Sequence, residues 1–229
     1  MSELFNCSLS EQMLQGFRAA RAALGRGELA VLPTDTVYGV AADAFNSAAV
    51  QKLIAAKGRT RQSPPPVLVS SVQTVHALAA DVPAQVLQLA EQFWPGPLTV
   101  VTLAQPSLTW DLGDTFGTVA LRMPKHDFTL QLLAETGPLA VSSANLHGAK
   151  PGLTAAESRE QLGDSVAVYL ETGRVAGDGT ASTIIDVTAL NKQQESADQP
   201  ALPVIKILRS GAITAQQLAD ALPQVLIER

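Results

Sequence analysis

Apolar positions along this chain fall into two rhythms, one of three to four residues and one of short continuous runs, and they predict helices and strands in irregular alternation. Met13, Phe17, Ala20 and Leu24 share one face of a helix. Ser8 and Glu11 stand before it at the offset of a capping box, with Gly25 and Gly27 placed to end it. Leu29 to Leu32 reads as a strand that breaks at Pro33 into a polar turn. After Ser47, a candidate N-cap, Val50, Leu53 and Ile54 keep helical spacing, and the next place on that stripe is Lys57. Gly58 then ends the helix before the strand "VLVS". Pro83 opens another helix along Val86, Leu89, Ala90 and Phe93, and "WPGPLTVVTLA" reads as a rigid turn entering a strand. "TVALRMP", "PLAVSS", "VAVYL", "STIIDV" and "PVIKILR" are further strands, and Thr154 with Glu157 caps a helix between them. Such irregular alternation predicts one α/β domain, residues 1–229, with a mixed parallel and antiparallel sheet. "NKQQESADQP", residues 191–200, is expected as a polar loop or flap.

Composition narrows the functional classes. A formal charge of −5 argues against coating by nucleic acid but leaves room for a local basic pocket. The single cysteine, Cys7, excludes an internal disulfide framework and is expected in a mobile terminus, a poor place for a nucleophile. The N-terminal "MSELFNCSLSEQML" lacks the basic start and apolar run of a secretory signal. No stretch reaches the ~20 apolar residues of a spanning helix. A soluble, cytoplasmic protein is the expectation.

The basic residues then change the picture. Lys52, Lys57, Arg59 and Arg61 lie in a segment without any carboxylate between Asp43 and Asp81, followed by Pro64, Pro65 and Pro66. An unpaired ammonium on the apolar stripe at Lys57 would be costly, so it calls either for a polyanionic ligand such as a triphosphate or for a distant acid. "TGRVAGDGTAST" offers Gly173, Gly177 and Gly179 with the hydroxyls of Ser182 and Thr183, and reads either as a phosphate cradle or as a plain connector. Ser143 and Asn145 follow an apolar strand and would project to one side if extended, or else form a turn. Other chemistries lack their signatures. His76, His126 and His147 show no zinc-ligand spacing, and neither a Gly-x-Ser-x-Gly elbow, a P-loop nor a Gly-x-Gly-x-x-Gly turn occurs.

Taken in order, "LPTDTVYGVAADA", the triplet Lys57-Gly58-Arg59, "FWPGPLTVV", "ALRMP", "SSAN" at 142–145, "STIIDVT" and "ILRSGAI" resemble the YrdC-like, or TsaC-type, threonylcarbamoyl-AMP synthases, and they span residues 32–213. The resemblance implies a single-domain form with a twisted mixed sheet, flanking helices and a deep concave pocket. It implies a nucleotidyltransferase that joins L-threonine, bicarbonate or carbon dioxide, and ATP into threonylcarbamoyl-AMP and pyrophosphate. The product would serve modification of adenosine 37 in transfer RNA through a separate transferase. By position, Lys57, Arg59, Ser143 and Asn145 resemble the Lys-x-Arg and Ser-x-Asn pairs that line the nucleotide pocket, with Lys57 and Arg59 as the catalytic cations. Thr118 and Arg209 resemble ATP contacts, and Thr36, Arg122 and Ser182 threonine contacts. Thr60, Leu68 and Ala181 depart from the family's usual Pro, His and Pro, and Leu68 bears on threonine selectivity. The expected chemistry is positioning and electrostatic stabilisation without a covalent protein intermediate, with Mg²⁺ carried on the ATP phosphates. Lys57→Ala is expected to lower turnover far more than stability. Two rivals remain: a double-stranded RNA-binding module, and carbamoyl transfer from carbamoyl phosphate.

Overall fold

Residues 2–176, 178–193 and 202–229 are described by the computed structural model of the chain. In chain order the elements are β1 (Glu3–Asn6), α1 (Ser10–Gly25), β2 (Ala30–Leu32), β3 (Gly39–Asp43), α2 (Ser47–Ala56), β4 (Val67–Leu68), α3 (Val72–Leu78), α4 (Ala84–Phe93), β5 (Leu98–Leu103), β6 (Thr118–Arg122), α5 (Asp127–Thr136), β7 (Leu139–Ser143), α6 (Ala155–Leu162), β8 (Val168–Glu171), β9 (Thr183–Asp186), α7 (Thr188–Gln193), β10 (Val204–Arg209), α8 (Ala215–Ala221) and β11 (Leu226–Glu228). The strands form one sheet in the order β1-β8-β2-β3-β7-β4-β6-β5-β9-β10-β11. Pairing is parallel at β4 with β6 and at β5 with β9, and antiparallel at β3 with β7 and at β5 with β6. The sheet is therefore mixed, as the apolar rhythm predicts.

Strand alternation decides where the site lies. Val100, Val119, Leu121 and Ile185 point to one face and join a core with Val86, Leu89, Phe93 and Leu218 from α4 and α8. Their neighbours Thr99, Val101, Thr118, Ala120, Arg122 and Ile184 point to the opposite face, where they line a cavity. A second core joins α1 and α5 to β2 and β7 through Ala20, Leu24, Leu32, Leu132 and Val141.

Three helix starts differ from the reading of the sequence. In α1 the N-cap is Leu9 without a side-chain cap bond, and Ser8 forms no capping box. The Gln12 side chain instead accepts from the Asn6 backbone at 2.9 Å, which anchors the entry to the helix. The buried face of α1 is Gly16, Ala20, Ala23 and Leu24, so Met13 is exposed. At α2 the cap is Asn46, one residue before Ser47, with its Oδ1 accepting from Ala49 N at 3.1 Å. Thr154 caps α6 as expected, but Glu157 reaches one residue further back, to Leu153 N at 2.7 Å.

Two other expectations change. Cys7 is not in a mobile tail: it follows β1, which pairs in parallel with β8, and it is buried in the second core. Burial and the nearby Glu171 push its thiol up to about 11, so it stays protonated and unreactive at neutral pH. Of the expected flap, residues 191–193 complete α7, whereas residues 194–200 lie outside the described residues. No helix among the described residues is long and apolar enough to cross a membrane.

Candidate functional site

The cavity on the open face of β4, β6, β5 and β9 has a volume of about 700 Å³, within the usual size for a small-molecule site. Its cations come from separate places in the fold. Arg59 arrives by helix termination. Gly58, with φ +63°, closes a Schellman motif in which Arg59 N donates to Ile54 O at 3.0 Å and Gly58 N to Ala55 O at 2.9 Å. That turn sends Lys57 and Arg59 in different directions.

Arg59 lines the cavity and is only partly satisfied. Its Nη1 reaches Ser142 Oγ at a long 3.3 Å, and its buried Nε has no partner. Lys57 is fully buried and is not among the lining residues. Its Nζ donates to the carbonyl of Ser143 and, at 2.6 Å, to that of Asn145. Among the described residues no acid pairs with it, and the carbonyl dipoles of the 143–145 turn take that place. The sequence alone left a polyanionic ligand or a distant acid as its partner; the structure adds two backbone carbonyls that neither alternative included. The expectation that Lys57→Ala would spare stability changes accordingly.

Arg122 stands on β6 two and four residues beyond Ala120 and Thr118, which is why all three share the open face. It is held from three sides. Nε donates to Gly96 O at 3.0 Å, Nη1 to Thr36 Oγ1 at 3.0 Å and Nη2 to Asp35 Oδ1 at 2.6 Å. Thr34 organises that loop: its Oγ1 donates to Val37 O at 2.6 Å and accepts from Thr36 N at 3.2 Å. Arg209, from β10, grips Ser182 by its carbonyl at 2.7 Å and its Oγ at 2.8 Å. Ser182 Oγ in turn lies 2.9 Å from Thr99 Oγ1.

Arg209 feels the other two guanidiniums. Burial lowers Arg59, Arg122 and Arg209 from their ordinary range, and Arg209 is lowered further by the charges of Arg122 and Arg59. Asp35 is their single carboxylate partner among the described residues. Asp114, also on the rim, is engaged with Arg61 at 3.4 Å. The expected cation Arg61 thus belongs to an exposed cluster with Asp111 and Asp114 rather than to the anion site.

Burial, reinforced by Arg59, lowers Lys57 from 10.5 to about 8. The unfolded chain keeps that proton to higher pH, so in the window between these values the unfolded state binds more protons. This group's contribution to stability therefore rises with pH there. The cavity meanwhile loses a positive charge just behind its wall. The cavity's affinity for a polyanion, probed with ATP by calorimetry between pH 7 and 9, is expected to fall with a midpoint of about 8. A flat profile contradicts this.

Of the residues singled out in the sequence, Thr36, Arg59, Thr118, Arg122, Ser143, Asn145, Ser182 and Arg209 line this one cavity. Asn145 donates from Nδ2 to Leu146 O and Ala149 O, both at 2.8 Å, which leaves its Oδ1 without a partner. The glycine-rich loop contributes less than a cradle would. Its Ala181 and Ser182 line the cavity, but Gly173 N is spent on Glu171 Oε1 at 2.7 Å, and Gly177 lies outside the described residues. Asp35, Thr99 and Ser142 lie inside the quoted motifs but were given no role from the sequence. The signal for Thr99 was a polar residue at an alternating position of an apolar strand, and for Asp35 a carboxylate at a strand end.

Gly211 is required for a close approach. A Cβ there would meet Ala181 O and come within 2.5 Å and 2.6 Å of the Ser182 carbonyl carbon and oxygen, all backbone atoms that cannot step aside. Gly211→Ala is expected to cost ~1–3 kcal/mol of stability, read from a urea midpoint. Ser182 and Arg209 would shift with it.

A family model described as "Telomere recombination" (Sua5–yciO–yrdC) matches residues 22–211. The chain is 45% identical over 222 residues to the putative threonylcarbamoyl-AMP synthase of Mycobacterium tuberculosis (strain CDC 1551 / Oshkosh), covering 97% of this chain and 96% of that protein. It is 34% identical over 212 residues to the threonylcarbamoyl-AMP synthase of Bacillus subtilis (strain 168), covering 92% of this chain and 57% of that protein. Among solved structures, P. abyssi Sua5 complexed with L-threonine superposes with a TM-score of 0.80 at 29% identity, over 93% of this chain and 58% of that one. The ordered motifs, the mixed sheet and these matches agree, and the chain belongs to the Sua5–yciO–yrdC family.

Proposed function

We propose that this protein is an L-threonylcarbamoyladenylate synthase, a nucleotidyltransferase acting on L-threonine, bicarbonate or carbon dioxide, and ATP. The observation that carries the reading is a cavity into which Arg59, Arg122 and Arg209 converge with, among the described residues, one carboxylate partner and no partner for Arg59 Nε. Such a gathering of positive charge at one cavity, with Arg122 buried, Arg59 half-buried and Arg209 exposed, suits substrates that bring a carboxylate and a polyphosphate together.

The amine of threonine takes up bicarbonate with loss of water to give a carbamate. A carbamate oxygen then attacks the α-phosphorus, the bond to the bridging oxygen breaks, and pyrophosphate leaves. Arg122, aligned by Asp35 and Thr36, is placed to hold the threonine carboxylate, and Ser182 and Thr36 offer hydroxyls beside it. Arg59 and Arg209 face the phosphates and offset charge growing on the departing oxygens, while Thr118, Ser143 and Asn145 border the nucleotide. Lys57 acts from behind the wall, fixing the turn that carries Ser143 and Asn145. Among the described residues there is no group of three or more His, Cys, Asp or Glu side chains able to hold a metal ion. Mg²⁺ carried on the ATP phosphates would offset part of their charge.

The adenylate would pass to a separate transferase for the threonylcarbamoyl modification of adenosine 37 in transfer RNA, in the cytoplasm. Radiolabelled bicarbonate should enter an acid-labile adenylate only when threonine and ATP are both present, with one pyrophosphate released per product. A requirement for carbamoyl phosphate in place of bicarbonate and ATP, or no incorporation at all, defeats the proposal.

A further inference from the structure

Phe116 is the least settled residue of the fold: its side chain is 94% exposed, and its φ is +51°. It sits in the turn Thr115–Thr118, where Thr118 N and Oγ1 both donate to Thr115 O, at 3.0 Å and 2.7 Å. Gly117 follows with φ +78°, so both central positions of the turn have positive φ, as a type I′ turn requires. Asn, Asp or Gly suits the first of these positions; a phenylalanine there is a backbone misfit as well as an exposed apolar surface. The turn is nevertheless anchored. Asp114 N donates to Arg61 O at 2.8 Å, and Arg61 forms a two-pronged pair with Asp111 at 2.8 Å on each arm. An aromatic ring carried on an anchored turn in an unfavourable backbone conformation, with no packing partner among the described residues, is organised for something outside the fold.

Its position says what. Phe116 is on the rim of the cation-lined cavity, beside Thr118, and shares that lining with Arg59 and Arg209. We infer that Phe116 is a stacking platform for the nucleobase of the bound nucleoside triphosphate, the phosphates lying inward on the guanidiniums. The inference deepens the proposed ATP site and rests on that reading. Stacking accepts any base, so Phe116 contributes affinity for a nucleotide over a bare polyphosphate rather than choice among bases.

The turn itself supplies a clean variant. Phe116→Asn places a residue that favours positive φ, and so is expected to keep or raise the melting temperature while removing the ring. Calorimetric titration should show ATP bound about 10-fold more weakly by F116N, with inorganic tripolyphosphate bound as by the unaltered protein, and F116W should retain the ATP affinity. Equal weakening toward ATP and tripolyphosphate, or no change toward ATP, overturns the inference. The two readings fail separately. If the unaltered protein releases pyrophosphate dependent on threonine and bicarbonate while F116N binds ATP normally, only the platform is wrong. If the unaltered protein binds no ATP, the nucleotide site falls and the platform with it.

Discussion

Lys57→Met should lower the unfolding free energy by about 2–3 kcal/mol and abolish most ATP binding together, because the ammonium joins the fold to the site. Methionine nearly conserves volume, so no large cavity opens. What is lost is donors. Ser143 O retains a bond from Asn145 N at 2.9 Å, whereas Asn145 O has Lys57 Nζ at 2.6 Å and is left unsatisfied without it. A buried orphan carbonyl costs ~1–3 kcal/mol, and the loosened Ser143 bond adds to that. Relief of the ammonium's own desolvation offsets part of the loss, which sets the upper end of the range. Arg59→Met tests the contrast. Its guanidinium has one long bond and an unpaired Nε, so stability should hardly move while ATP affinity collapses. A urea midpoint for K57M equal to that of the unaltered protein would remove Lys57 from the framework.

These two cations show how far the sequence could be read. The apolar stripe Val50, Leu53, Ile54 correctly implied that Lys57 turns inward, since helical spacing is local. Its partners could not be inferred, because they lie 86 and 88 residues away in a turn whose carbonyls carry no sequence signature. Thr118 and Arg122 were reached through the family's motifs alone, and the Asp35 that meets Arg122 lies 87 residues away. Cap positions slipped by one residue where two acceptors adjoin, as at Asn46 and Ser47, because propensity does not distinguish which of them turns back on the helix. Cys7 was misjudged for a related reason. The pairing of β1 with β8, Glu3 opposite Val168, buries a terminus whose local sequence reads as free. Ordered motifs located the site; non-local hydrogen bonds set its geometry.

The pair of Asp35 and Arg122 offers the second large effect, and a cycle of variants separates its two roles. Side-chain exposures are 12% for Asp35 and 8% for Arg122, so this is a buried ion pair, and removing one partner strands the other charge. Arg122→Ala leaves Asp35 with the Lys125 backbone amide, at 2.9 Å, as its remaining donor, and should cost about 3–5 kcal/mol. Adding Asp35→Ala removes the stranded carboxylate, so the double variant is expected to be more stable than R122A alone even though more of the side chain is gone. Activity should not follow stability back. On the proposed reading, loss of the fork at Arg122 removes the charged partner of the threonine carboxylate, and pyrophosphate release should need far higher threonine in the single and the double variant alike. Asp35→Asn completes the argument, because it keeps a hydrogen-bond acceptor for Arg122 but not its charge. The guanidinium stays near its place with one more net positive charge in the cavity. KM for threonine should then change modestly while kcat falls through misalignment, a division that a purely structural role for Asp35 would not produce. A double variant no more stable than R122A, or an unaltered threonine requirement in it, would show that the pair serves neither role.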